Sequence, residues 1–227
     1  MTIFLEIYKE SLQDKLALHK SGKASGVSMS LLKLLEGHKR FKIEFDEKQK
    51  LYQSLVENGQ CPKILWIGCS DSRVIPEKIV DAEPGELFVI RNIANIIPPA
   101  KANDLCSSAV LEYAVVHLEV EHIVICGHTG CGGITELCMG VSGNSSICKW
   151  LRFAKDATSS SDPGDIENTI KRNILLQEEH LKTFDFIIER EKEITIHKWL
   201  YDMKSGDITI FDNVTKRWID VDKDESR

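Results

Sequence analysis

No apolar run in this chain approaches the roughly 18 residues needed to span a bilayer as a helix. The opening MTIFLEIYKE lacks the basic stretch, apolar core and small-residue cleavage site of a secretory leader, so the expected compartment is the cytoplasm. An excess of positive charge is also missing. Lys+Arg 29 against Asp+Glu 35 leaves a net charge of -6, which argues against nucleic acid or an anionic membrane as partner. There is no P-loop, no G-x-S-x-G elbow and no glycine series in the order G-x-G-x-x-G. A Cys-x5-Arg phosphatase loop fails because Ile75 stands sixth after Cys69. Nor is there a disulfide framework: the 7 cysteines are odd in number and lack small-scaffold spacing, which favours metal binding or simple burial.

What is present describes a globular chain of 227 residues, 42% hydrophobic and 28% charged, enough for one domain with a proper core. Residues 1–60 carry apolar side chains at spacings of three and four among many Lys and Glu. They predict two amphipathic helices, Leu5 to His19 and Ser28 to Val56, separated by SGKASG. From residue 61 the pattern changes to short continuous apolar runs: Ile64 to Ile67, Leu87 to Ile90, Ile123 to Cys126 and Ile194 to His197. Runs without alternation suit strands covered on both faces, as in a parallel sheet. Helical stretches separate them: Leu105 to Leu118, Ile134 to Cys138, Ile147 to Asp156 and Ile166 to Arg190. A last run, Ile208 to Phe211, follows the turn signal KSGD and predicts an antiparallel edge strand. The expected fold is therefore α/β: a mainly parallel sheet of about four strands plus that edge strand, flanked by helices. The whole chain 1–227 reads as one domain, with a helical arm (1–60) and an α/β body (61–227). ATSSSDPG, residues 157–164, reads as a surface loop.

Two clusters carry the chemistry. Gly68-Cys69-Ser70-Asp71-Ser72-Arg73 follows the first predicted strand, and Gly127-His128-Thr129-Gly130-Cys131-Gly132-Gly133 follows the third. Carboxyl ends of parallel strands share one edge, where α/β proteins bind ligands, so the two clusters are expected to face each other. Cys69, His128 and Cys131 offer two thiolates and an imidazole, a donor set that suits zinc. Three protein ligands leave a catalytic position open, whereas four close the site. Asp71 is able to serve as the fourth ligand, and Arg73 is able to hold that carboxylate away through a bidentate pair. Cys126 in a strand and Cys106 on a helix read as small buried hydrophobes. His117, His122 and His180 have no comparable partners.

In these two clusters the chain resembles the β-class carbonic anhydrases. The resemblance rests on Cys69-Ser70-Asp71-Ser72-Arg73 and His128-Thr129-Gly130-Cys131-Gly132-Gly133. It extends through Gly85 to Asn95, Leu118 to Ile123 and Ile194 to His197, and covers roughly residues 31–212. Lys198 departs from it, standing where the family commonly has glycine between His and Trp.

The resemblance implies reversible hydration of CO2 to bicarbonate and a proton by attack of zinc-bound hydroxide, with one Zn2+ per subunit. It implies that Asp71, paired with Arg73, orients the nucleophile. Gln60 is expected to donate to a substrate oxygen, with help from the backbone N–H groups of Gly132 and Gly133. Two thiolate ligands weaken the metal as a Lewis acid, so turnover is expected to rise through the alkaline range. The family also implies a homodimer or homotetramer in which the N-terminal helices embrace a second subunit. One subtype carries a regulatory bicarbonate pocket of a tryptophan, an arginine and a tyrosine, matched here by Trp66, Arg91 and Tyr201, with Gly68 and Val74 in agreement. Two other readings of the same residues are a carbon disulfide or carbonyl sulfide hydrolase on this scaffold, and a non-catalytic zinc protein closed by Asp71.

Overall fold

A computed structural model describes residues 29–158 and 164–221. The predicted helix Leu5 to His19, the SGKASG break and the tip of the 157–164 loop lie outside the described residues. The chain divides between Gly59 and Gln60 into two compact units.

In the first unit the single helix expected from Ser28 to Val56 is two helices, α1 (Met29–Glu47) and α2 (Gln49–Asn58). They part at Lys48, whose backbone (φ -99, ψ 19) leaves the helical region. The turn there accompanies a ring stack of Tyr52 on Phe45, with centroids 4.4 Å apart. Leu32 is buried, while Leu34, Ile43 and Val56 of the same unit are exposed.

The second unit is built on one six-stranded sheet in the order β2-β1-β3-β4-β5-β6. Its strands are β1 (Ile64–Cys69), β2 (Leu87–Asn92), β3 (His122–His128), β4 (Thr195–Tyr201), β5 (Ile208–Asp212) and β6 (Arg217–Asp220). The first four are parallel neighbours, as the continuous apolar runs predict. Strand β5 turns antiparallel on β4, but it is not the edge: β6 pairs outside it. Arg-Trp-Ile-Asp is too short and too polar to announce a strand by itself, and only pairing with β5 makes it one.

Helices α3 (Leu105–Glu112), α4 (Gly132–Cys138) and α5 (Ile166–Leu181) occupy predicted helical stretches. The stretch expected to run to Arg190 breaks after α5, because Phe184 takes extended backbone (φ -92, ψ 123) and buries its ring. A short helix, Asp185–Glu189, follows. The stretch from Ile147 shortens likewise to Ser146–Leu151, with a 3-10 turn over Arg152–Ala157. Helix α5 lies close against β3: a Cβ on Gly127 would sit 2.7 Å from the Ile174 side chain, so only glycine fits there.

The main core lies on the α5 face of the sheet and includes Leu65, Ile67, Ile123, Ile125, Ile170 and Ile174. The opposite face carries Trp66, Val124 and Cys126, with Trp199 and Tyr201 packed on them. Cys126 is thus a buried core thiol, pushed up to about 12 by burial. Cys106 corrects the expectation made for it: on α3 it is exposed, since that helix turns Ser107 and Leu111 inward instead.

Lys198 is 0% exposed in the middle of β4. Its ammonium donates to Glu178 Oε2 at 2.7 Å and to Asn213 Oδ1, and lies 5.5 Å from the Phe211 ring centroid. A buried cation is tolerated only with such partners. Lys198→Met is expected to lower stability by about 3 kcal/mol in denaturant titration at pH 7, by leaving Glu178 short of a partner. Burial pushes the Glu178 carboxyl up, but hydrogen bonds from Lys182 and Lys198 outweigh it and hold it below its ordinary value of 4.5. A depressed carboxyl stabilises above its unfolded pKa and loses that contribution as pH falls through the folded one. The gap between parent and mutant should therefore narrow below about pH 4.5; a gap that widens in acid would show that the pair is not its source.

Candidate functional site

The chain order reverses at β1: β2 lies on one side of it and β3 on the other. This switch point opens a crevice at the carboxyl edge between β1 and β3. Cys69 closes β1 and His128 closes β3, in strands whose registers align Gly68 with Cys126. A two-residue turn, Thr129-Gly130, then brings Cys131 back to the same point as the N-cap of α4. Gly130 makes that turn with φ +65, a left-handed conformation that favours glycine.

The Sγ atoms of Cys69 and Cys131 and a ring nitrogen of His128 all lie within 4.8 Å of one another, and all three residues are buried. The His128 Nδ1 pairs with the Thr129 carbonyl at 3.0 Å, which assigns Nδ1 as donor and leaves Nε2 bearing the lone pair. That Nε2 is buried without a hydrogen-bond partner. The two sulfurs behave as a pair. The Cys131 side chain, with His128 and the backbone N–H groups of Asp71 and Ala94, pulls Cys69 down to about 4. Cys131 in turn is pushed far up by the Cys69 side chain and by burial. One thiol ionises readily, and the second requires a compensating cation. An orphaned imidazole nitrogen beside two such sulfurs fits a zinc ion and is otherwise a costly thing to bury.

Asp71 is outside this trio. Both of its oxygens are held by Arg73, Oδ1 by Nε at 2.9 Å and Oδ2 by Nη2 at 2.7 Å. The Arg73 side chain keeps its carboxyl far below the usual carboxylate range. Of the four residues predicted as ligands, the structure gathers Cys69, His128 and Cys131, and holds Asp71 aside. Arg73 also donates to the Gly130 carbonyl at 3.3 Å, tying the two loops together.

Arg91 donates to three carbonyls of the β1 loop, those of Cys69 (2.9 Å), Asp71 (2.7 Å) and Val74 (2.6 Å). Sequence reasoning assigned Arg91 to regulation and missed this bracing role, because nothing local marks an arginine that binds carbonyls twenty residues away. Gly132 and Gly133, whose N–H groups are expected to assist at the substrate, are the first two residues of α4, directly after Cys131. Gln60 precedes β1 while Cys69 ends it, so the length of the strand, roughly 20 Å at about 3.3 Å per residue, separates them within one chain. Trp66 is buried with its Nε1 unpartnered, edge-on to Trp199 at 5.6 Å. Tyr201 packs in the same cluster as Trp66, on the face opposite α5. Thr129 is pinned by the β4–β5 turn: its hydroxyl donates to Asp202 Oδ1 at 2.9 Å and accepts the Met203 N–H at 3.0 Å.

A buried Cys/His/Cys centre at the switch point of a mainly parallel sheet, with an Asp–Arg pair at its mouth, defines a class of metal-dependent α/β enzyme. The carbonic anhydrase family profile matches residues 64–208. A carbonic anhydrase of Pseudomonas aeruginosa is 34% identical over 200 residues, spanning 83% of this chain and 90% of its own. Carbonic anhydrase 1 of Escherichia coli O157:H7 is 36% identical over 198 residues, 82% of this chain and 90% of its own. Among solved structures, the β-carbonic anhydrase CcaA superposes with a TM-score of 0.75 at 33% identity, covering 84% of this chain and 99% of that one. A tetrameric β-carbonic anhydrase of Sordaria macrospora gives 0.71 at 30% identity, covering 81% and 97%. The chain belongs to the carbonic anhydrase family, in its β class, and is an enzyme of that kind.

Proposed function

We propose that the protein catalyses the reversible hydration of carbon dioxide to bicarbonate and a proton at the Cys69–His128–Cys131 centre. The observation that carries this is the buried trio with its unpartnered His128 Nε2. Zinc held there supplies the Lewis acidity that makes water a nucleophile near neutral pH. The chain's own residues do the rest. Asp71, kept ionised and aimed by Arg73, accepts a hydrogen bond from the attacking water and orients it toward the carbon. Ile93, partly exposed and next to Gly133, offers an apolar wall for a substrate without charge or dipole. Gln60 lies too far from its own centre to touch substrate there, so its proposed donation to a substrate oxygen requires the site of another copy. That need, with the tetrameric relative, supports a homo-oligomer. Seven free cysteines suit the reducing cytoplasm, the proposed compartment.

Stopped-flow CO2 hydration, with and without zinc chelation, tests this reading beside a sulfide-release assay on carbon disulfide and carbonyl sulfide. Chelator-sensitive hydration is expected. Sulfide release without hydration would replace the substrate, and zinc without either activity would favour the closed, non-catalytic protein.

Regulation by bicarbonate at Trp66, Arg91 and Tyr201 is part of the same proposal. The unpartnered indole N–H is a donor suited to a small anion, and Tyr201 also borders a cavity of about 560 Å3 that reaches Arg73. An anion that takes Arg91 from the carbonyls of residues 69, 71 and 74 loosens the segment carrying Asp71, which favours its release from Arg73. Inhibition then follows if the anion binds that released state more tightly. Trp66→Phe keeps a ring and removes the N–H, and is expected to weaken bicarbonate inhibition about tenfold at unchanged zinc content. Inhibition curves that overlay the parent's would remove the pocket from the account.

A further inference from the structure

Between β2 and the core, Ala94 and Asn95 take left-handed backbone, with φ 61 and φ 47. Neither is glycine, and they are 0% and 2% exposed. Such residues cost about 1–3 kcal/mol each and persist only where the surroundings over-determine them. Asparagine tolerates the region; alanine has no side-chain reason to be there. The Asn95 Nδ2 is buried without a partner as well, a further cost.

What holds the turn is a polar ladder on the core face of α5. Asn173 Nδ2 donates to the Ala94 carbonyl at 3.0 Å. Gln177 Nε2 donates to Asn173 Oδ1 at 2.8 Å, and Gln177 Oε1 accepts the Ile97 N–H at 2.7 Å. Both amides are 0% exposed, at positions where leucine would bury cleanly. At the near end of the turn the Asn92 side chain clasps the N–H and carbonyl of Ile96, at 2.8 and 2.7 Å. Two buried amides and two strained residues therefore serve one short segment. That segment adjoins the metal centre on two sides: Asn92, which opens it, pairs in register with Cys69 and its carbonyl accepts the Ser70 N–H at 2.8 Å, while the Ala94 Cβ lies 3.1 Å from where a Cβ on Gly133 would sit.

We propose that Asn173 and Gln177 are positioning residues for the metal centre, holding the strained Ala94–Asn95 turn so that the strand end at Cys69 and the helix start after Cys131 stay in place. Residues that fix metal ligands from outside the donor set change metal affinity or activity by about 10- to 100-fold. The inference rests on the reading that Cys69, His128 and Cys131 hold zinc, and not on carbon dioxide as the substrate.

The test is zinc release from the holoenzyme into a colorimetric chelator, with the thiolate-to-metal absorption band of the Co2+-substituted protein as a second reading. Asn173→Leu is expected to speed release about 10- to 100-fold and to shift the cobalt band. Adding Ala94→Gly should restore part of the loss, because glycine adopts the left-handed turn without a brace. A purely structural Asn173 would not be rescued from position 94. Release at the parental rate with an unmoved band overturns the proposal, and so does a double variant as leaky as Asn173→Leu alone. Should Asn173→Leu not fold, Gln177→Met removes only the outer rung and is read identically, for and against, with a smaller effect. A parent whose zinc survives Cys131→Ser refutes the site assignment itself, a result separate from either of these.

Discussion

Cys131→Ser is expected to purify folded and without zinc, and to hydrate CO2 no faster than the chelated parent. The substitution is close to isosteric, and position 131 is the N-cap of α4. Serine is a preferred N-cap, and the Cys131 sulfur makes no capping hydrogen bond there, so the start of the helix loses nothing by the change. What disappears is a soft, anionic donor, which a hydroxyl does not replace. Zinc content per chain and circular dichroism separate the two effects: the metal is lost and the helix signal stays. The second thiol is also the one that requires a cation to ionise, so its removal takes away the charge balance for a dication. Cys69→Ser and His128→Ala should behave in the same way. Stoichiometric zinc with full activity in any of the three would move the centre elsewhere in the chain.

Arg73→Ala is expected to retain zinc and to lose turnover by about 10- to 100-fold. The Arg73 side chain is 61% exposed, and exposed ion pairs contribute little to stability, so stability is not what the pair is for. Its value is direction. Two parallel hydrogen bonds fix both Asp71 oxygens in one plane, and without them the carboxylate is free to swing onto the metal and close the open position. Arg73→Lys should recover little, because a point charge does not reproduce the fork. Measured together, unchanged zinc and melting temperature with reduced kcat support this account. Activity equal to the parent's would leave the pair without a catalytic part.

The parallel strands were legible because their residues have to be apolar on both faces, as Ile64-Leu65-Trp66-Ile67 is. The metal centre was legible because its donors are rare residue types placed directly after those strands. Helix ends were less so: α1 and α2 part at Lys48 and α5 ends before Phe184, where ring packing, not local composition, decides. Lys198 stood out in the sequence only as a departure from the family pattern; its partners, Glu178 and Asn213, come from separate elements. Cys106 was misjudged since a helix's core face depends on what it packs against, and an eight-residue helix has too little pattern to reveal it.

By itself, then, the sequence determined the α/β class and the three candidate metal-ligating side chains, and offered Asp71 both as a fourth ligand and as the partner of Arg73, because each depends on residue chemistry and on spacings of only a few positions. The tertiary structure alone decided that Asp71 rests on Arg73 and not in the donor set, that Arg91 braces the β1 loop, and that Gln60 lies at the far end of its own strand. It alone disclosed the left-handed Ala94–Asn95 turn and the amides that hold it. The reason is physical: these depend on hydrogen bonds between groups as much as eighty residues apart, such as Ile97 with Gln177, and a contact of that range leaves no mark on the local pattern of either partner.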